Sequence, residues 1–157
     1  SYFNCSSIRP NELSLNVTRV YGLDGTREED LTRAEIITRR QSYAVWRFLR
    51  AHVPGFEYSM IVDVAPQIGV RESREIVGDY ILTEDDCRQN REFDDAILTA
   101  KIHFDVHDVS GYILEWVKGV VDVPYRCLLP RGLENLLVVG RCMSTDHIAN
   151  STTRLQE

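Results

Sequence analysis

Residues 28–50 read EEDLTRAEIITRRQSYAVWRFLR, and this stretch does most to set the fold class. Leu31, Ala34, Ile37, Ala44, Val45, Phe48 and Leu49 fall near one stripe at helical spacing, while arginines occupy much of the opposite face. The spacing predicts one long helix. Thr26 and Glu29 in front of it have the spacing of a capping box, and Pro54-Gly55 ends it. Around this helix the periodicity changes to two. Residues 13–18 alternate apolar and polar, and 59–65, 76–82 and 97–106 read as further strands. Residues 112–117 and 120–123 flank Lys118-Gly119 and predict a hairpin. Thr83-Glu84-Asp85-Asp86 has the opening of a short helix, since a hydroxyl caps it and acids suit its first turn. Leu136-Leu137-Val138-Val139 is a continuous apolar run closed by Gly140, the pattern of a buried strand of a parallel sheet. Together these elements predict an α+β fold: a mostly antiparallel sheet backed by one long helix, with a terminal strand from a parallel cofactor-domain sheet.

Bulk properties narrow the function. The 157 residues carry a net charge of -6, with 43% hydrophobic and 27% charged residues, the profile of a globular domain. No basic cluster is present, which argues against nucleic-acid binding. No apolar run reaches the ~20 residues of a membrane span. Cys5, Cys87, Cys127 and Cys142 form no C-x-x-C pair, so free thiols in a reducing, cytoplasmic setting are expected rather than a zinc site or disulfides. The glycosylation triplets at Asn4, Asn16 and Asn150 carry little weight without a secretory signal.

Three stretches could carry chemistry. In 67–74, Arg71 and Arg74 flank Glu72 and Ser73 beside Gly69; paired guanidinium groups suit a small anionic ligand, although a surface ion-pair cluster reads the same way. In 103–108, His103, Asp105 and His107 share a strand face. They could bind a divalent metal, His107 alone could move a proton, or the face could simply be solvated. In 136–154 a buried strand ending at Gly140-Arg141 precedes a polar loop with Ser144 and His147. Ligands sit beyond such strand ends in open α/β sheets, while an ordinary core strand and turn fit equally well.

Read together, these stretches form a longer string. Gly69-Val70-Arg71-Glu72-Ser73-Arg74-Glu75-Ile76-Val77-Gly78-Asp79-Tyr80, Leu82-Thr83-Glu84-Asp85-Asp86, Phe93-Asp94-Asp95-Ala96-Ile97 and Asp105-Val106-His107-Asp108 occur in order. Val123-Pro124-Tyr125-Arg126, Leu128-Leu129-Pro130 and Asn135-Leu136-Leu137-Val138-Val139-Gly140-Arg141-Cys142 continue it. The string resembles the FAD-dependent oxidoreductase family of bacterial, glutathione-reductase-like flavoproteins; residues 1–65 match only loosely. The resemblance implies FAD as cofactor and a small-molecule substrate. It places Arg71, Arg74 and His107 near the chemistry. Gly140, Arg141, Ser144, His147 and Arg154 then lie along the flavin, and Ser73, Tyr125 and Arg126 along the substrate. It also implies a boundary, with 1–134 on the substrate side and 135–157 as the last strand and loop of the FAD domain. The family's G-x-G-x-x-G phosphate loop does not occur in this sequence, so an excerpt unable to catalyse alone is expected. The alternative is a non-catalytic module with an arginine-lined cleft. An unpaired edge at 136–139 predicts self-association.

Overall fold

The computed structural model describes residues 4–7, 9–101, 103–108 and 111–153, and the chain is α+β. It divides into two compact units, residues 1–69 and 70–157.

In the first unit β1 (Asn4–Ser6) pairs antiparallel with β2 (Ser14–Asn16), and α1 spans Glu28–His52. The helix begins where it is predicted but is not capped as predicted. Thr26 hydrogen-bonds the Asp24 carboxylate (2.8 Å), and the N-cap residue Arg27 makes no side-chain cap. Glu28, Glu29 and Asp30 instead complement the helix dipole in its first turn. The anticipated strand at 59–65 does not form. Its neighbourhood is pinned along α1 by side chains: Trp46 Nε1 donates to the Ser59 carbonyl (3.2 Å), Arg50 Nε to the Glu57 carbonyl (3.1 Å), and Arg39 Nη2 to the carbonyls of Ala65 and Pro66. Glu35 accepts from the Ile68 amide and from Arg39. Helix side chains thus take backbone groups that a neighbouring strand would otherwise satisfy. The alternation at 59–65 survives only as exposure, with Met60 and Val62 facing solvent.

The second unit holds β3 (Ala96–Ala100), β4 (His103–Asp108), β5 (Gly111–Trp116) and β6 (Val121–Pro124), with short helices α2 (Glu84–Arg88) and α3 (His147–Thr153). The strands form separate two-stranded antiparallel ladders, β4 with β5 and β3 with β6, rather than the single sheet expected from the sequence. Lys118-Gly119 turns the chain, and Gly119 takes φ +117°, but the strands it joins do not pair with each other. The predicted strand at 97–106 is broken in two, each half serving a different ladder. Residues 76–82 make only isolated bridges, Gly78 to Pro130 and Leu82 to Thr145.

The core of this unit gathers Leu82, Phe104, Val121, Val123, Met143 and Ala149, all buried. Cys87 and Cys127 lie in the same core, and all four cysteines are free. Burial pushes the Cys87 thiol up to about 12 and the Cys127 thiol to about 11, so both are inert at neutral pH. Cys5 is exposed and Cys142 half-buried.

Residues 136–139 correct the terminal-strand expectation. They form no strand, and Leu136, Leu137 and Val139 are about half exposed. The Val138 amide donates to the Leu128 carbonyl (2.9 Å), but among the described residues no parallel neighbour flanks the run. An apolar run becomes a buried strand only when other elements cover its faces.

Candidate functional site

The arginine-rich stretch, β4 and α3 meet at a shallow open cleft of about 110 Å³ lined by Arg71, Glu72, Asp105, Val106, His147, Asn150 and Ser151. β4 brings Asp105 to it. Strand alternation leaves Phe104 and Val106 in the interior, and Asp105 itself is only 8% exposed. A carboxylate that buried needs a charged or hydrogen-bonding partner, and Arg71 Nη1 supplies one at 2.8 Å. The guanidinium stays half exposed at the cleft.

His147 opens α3, and its Nδ1 lies in short contact with Glu72 Oε2. Asn150, one turn on, is 1% exposed. Its Nδ2 donates to Glu75 Oε1 (2.9 Å), the Arg141 carbonyl (3.1 Å) and Thr145 Oγ1 (3.3 Å), while its Oδ1 is buried with no donor among the described residues. An amide held by three acceptors inside the fold is closed to glycosylation. Burial, reinforced by repulsion from Glu72, pushes the Glu75 carboxyl above its usual range. Ionised Glu75 therefore costs the fold stability above its raised pKa, and that cost vanishes as pH falls below the unfolded value. A Glu75→Gln variant keeps an acceptor for Asn150 without the charge. It should melt about 1–3 °C higher at pH 7, with the difference gone near pH 3; a lower melting temperature at pH 7 would contradict this.

Of the residues singled out from sequence, the fold brings together Arg71 and His147, with His107 two positions along β4 from Asp105. The side chain of His107, and Arg154, lie outside the described residues. Ser73 and Arg74 are exposed, and Arg74 makes no ion pair or hydrogen bond among the described residues. Arg141 reaches back to the Val70 carbonyl. Gly140 has φ +71° with open space where a Cβ would stand, so its backbone conformation favours glycine there. Ser144 is buried, with its hydroxyl accepting from the Gly78 amide (3.0 Å).

Tyr125 and Arg126 sit in a 3-10 turn (Tyr125–Leu128) outside the cleft lining. Arg126 is held on Asp95 by two bonds of 2.9 and 3.0 Å and lies 5.3 Å from the Tyr80 ring centroid. Its guanidinium holds the Asp95 carboxyl below the usual carboxylate range. The possible metal face is likewise occupied by other contacts: Asp105 faces Arg71, and the His103 ring lies 5.0 Å from that of Trp116. No group of three His, Cys, Asp or Glu that could hold a metal occurs among the described residues.

Glu72, which in sequence reads as one charge of an ion-pair cluster, and Asn150 and Ser151, which read there only as part of a glycosylation triplet, all line the cleft. The signal for the latter pair was the polar run Asn150–Thr153. Placed on a helix directly after a loop of possible function, such a run is buried only if it is hydrogen-bonded.

The cleft joins buried Asp105 and Asn150 to the partly exposed Arg71, Glu72 and His147, and it is too small to enclose a drug-sized ligand. The model of the FAD dependent oxidoreductase family matches residues 2–157, and the chain belongs to that family. No curated protein and no solved structure matches the chain. FAD is the family's cofactor. The residues present fit a polar edge of it: Asn150 Oδ1 is a buried acceptor with no donor among the described residues, and flavin rings and ribityl chains offer N–H and O–H donors. Among the described residues no helix is long and apolar enough to cross a membrane.

Proposed function

We propose that this chain forms the substrate-side wall of an FAD-dependent oxidoreductase, with 140–153 facing the cofactor and Arg71 facing the substrate. The Arg71–Asp105 pair beside His147 and Asn150 carries this reading, since it draws both motif segments to one cleft. Bound FAD supplies the two-electron chemistry, and the chain supplies orientation and proton handling.

The charge balance of the wall bears on the substrate. Arg71 and Arg126 each already face a carboxylate, and Glu72 and Asp105 both line the cleft. A neutral substrate carrying hydroxyl or N–H groups suits these alternating donors and acceptors better than an anion does. The anion-capturing module would rest mainly on Arg74, which stands outside the lining.

Flavin titration followed by fluorescence and absorbance is the test. The full-length protein should bind FAD, and Asn150→Leu in it should weaken binding about tenfold, the equivalent of ~1.4 kcal/mol for one lost buried hydrogen bond. Absence of flavin binding by the full-length protein would overturn the reading.

A further inference from the structure

We infer that Glu72 is a positioning residue that fixes the His147 imidazole as a proton acceptor at the Arg71 cleft. The inference deepens the proposed function, on which it rests for the identity of the reacting ligand. Its geometric basis is the contact between His147 Nδ1 and Glu72 Oε2 at the rim of the cleft that Arg71 and Asp105 also line.

An ionised carboxylate only accepts hydrogen bonds, so Nδ1 must carry the hydrogen. The other ring nitrogen, Nε2, is then left with its lone pair. It makes no hydrogen bond among the described residues, and the ring is about half exposed. Imidazole free in water favours the opposite tautomer, and a carboxylate held at one nitrogen reverses that preference. The chain thus spends a motif glutamate on setting which nitrogen is basic, as in other carboxylate–imidazole pairs that handle protons.

The surroundings of His147 support a base of this kind. Arg71, Glu72 and Glu75 come from the extended segment, Asp105 from β4, Arg141 from the preceding turn and Asp146 from the residue before α3. Asp146 is committed to the Glu84 and Ala149 amides, and Asp105 to Arg71. Glu75 already accepts from Asn150. Glu72 is therefore the carboxylate in direct contact with the ring. In the step assigned here, an O–H or N–H bond of the ligand breaks heterolytically. Its proton goes to Nε2, its electron pair stays on the heteroatom, and the resulting imidazolium is balanced by Glu72 across the ring.

The test has two arms. Long-range ¹⁵N–¹H NMR of the flavin-free protein reads the His147 tautomer directly. The expected result is the Nδ1–H form in the parent and in Glu72→Gln, whose amide oxygen still accepts, with reversion toward Nε2–H in Glu72→Ala. Glu72 is surface-accessible, so its variants should fold. In the flavin-loaded enzyme, Glu72→Gln should lower kcat about 10²-fold and leave KM within threefold. It should also shift the acid limb of the kcat–pH profile downward, because imidazolium loses its countercharge; Glu72→Asp should restore part of the rate. A purely structural role would not move that limb. An Nε2–H tautomer in the parent, or unchanged kcat in Glu72→Gln, overturns the inference. If the protein binds no flavin, the functional reading fails by itself, and the NMR arm alone decides whether the dyad exists.

Discussion

An Asp86→Ala variant should lose about 3 kcal/mol of stability, because the substitution removes a helix cap and charge-assisted hydrogen bonds together. Asp86 is 7% exposed, and four donors surround its carboxylate. Oδ2 accepts from the Tyr80 hydroxyl (2.9 Å), the Thr83 amide (3.0 Å) and the Thr83 hydroxyl (2.9 Å); Oδ1 accepts from Arg91 (3.0 Å). Thr83 returns the favour by accepting from the Asp86 amide, which closes the capping box of α2. Alanine leaves the Tyr80 hydroxyl and the Thr83 amide without their acceptor. It also loosens the Tyr80 ring, which packs edge-on against Phe93 at 5.2 Å and lies under Arg126.

The expected loss corresponds to a fall in melting temperature of about 10 °C for a chain of this length. The pH dependence gives an independent check. Burial pushes the Asp86 carboxyl up, but hydrogen bonds from Thr83, Tyr80 and Arg91 outweigh it and hold the group below its usual value. A depressed folded pKa means that the stabilisation is fully present above the unfolded value, about 3.9, and is lost as pH falls through the folded pKa. The gap in melting temperature between parent and variant should therefore be widest near neutrality and narrow between pH 4 and pH 2. A constant gap over that range would show that the carboxylate's charge contributes nothing.

Gly78→Ala should be nearly as damaging, at about 2–3 kcal/mol, through crowding rather than a lost bond. A Cβ on Gly78 would stand 2.7 Å from Ser144 Cβ and 3.1 Å from the Arg126 carbonyl. The strand-like segment around Gly78, the turn at Arg126 and the loop at Ser144 are locked together there. The Gly78 amide donates to Ser144 Oγ, the Tyr80 amide to the Arg126 carbonyl, and the Ser144 amide to the Cys127 carbonyl. Separating them strains the bridge to Pro130 as well. Thermal melting of a Gly78→Ala/Ser144→Gly pair separates this account from a general loss of backbone freedom. The double variant should recover part of the loss, because the closest clash is between the two Cβ atoms. If the two costs simply add, crowding against Ser144 is not the cause.

These two sites also show what local sequence could and could not reveal. The cap on α2 was legible because Thr83 and Asp86 lie within one turn, and the capping box depends on little else. The extent of α1 was legible for the same reason: a 3.6-residue apolar period and acids in the first turn act locally. The importance of Gly78 was not legible, since the atoms it must avoid come from residues 126 and 144.

The candidate site divides the same way. Arg71, Arg74 and His147 could be named from residue chemistry, but Asp105 and Asn150 acquire their meaning from partners 34 and 75 residues away. Ser144 likewise accepts from the Gly78 amide 66 residues away, and Arg126 pairs with Asp95 31 residues away. The strands at 59–65 and 136–139 failed for one shared reason. Alternation or apolarity states what a segment would bury, while pairing depends on which backbone groups are left over once the rest of the chain has folded.

By itself, then, the sequence determined the α+β class, the long helix, the short capped helix and membership of a flavoprotein family, all of which rest on local periodicity or on an ordered string of motifs. Tertiary structure alone decided that β4 and α3 would meet the arginine-rich segment in a cleft. It decided too that Glu72 would stand against His147, because hydrogen bonds and ion pairs form between groups that only folding brings within 3 Å.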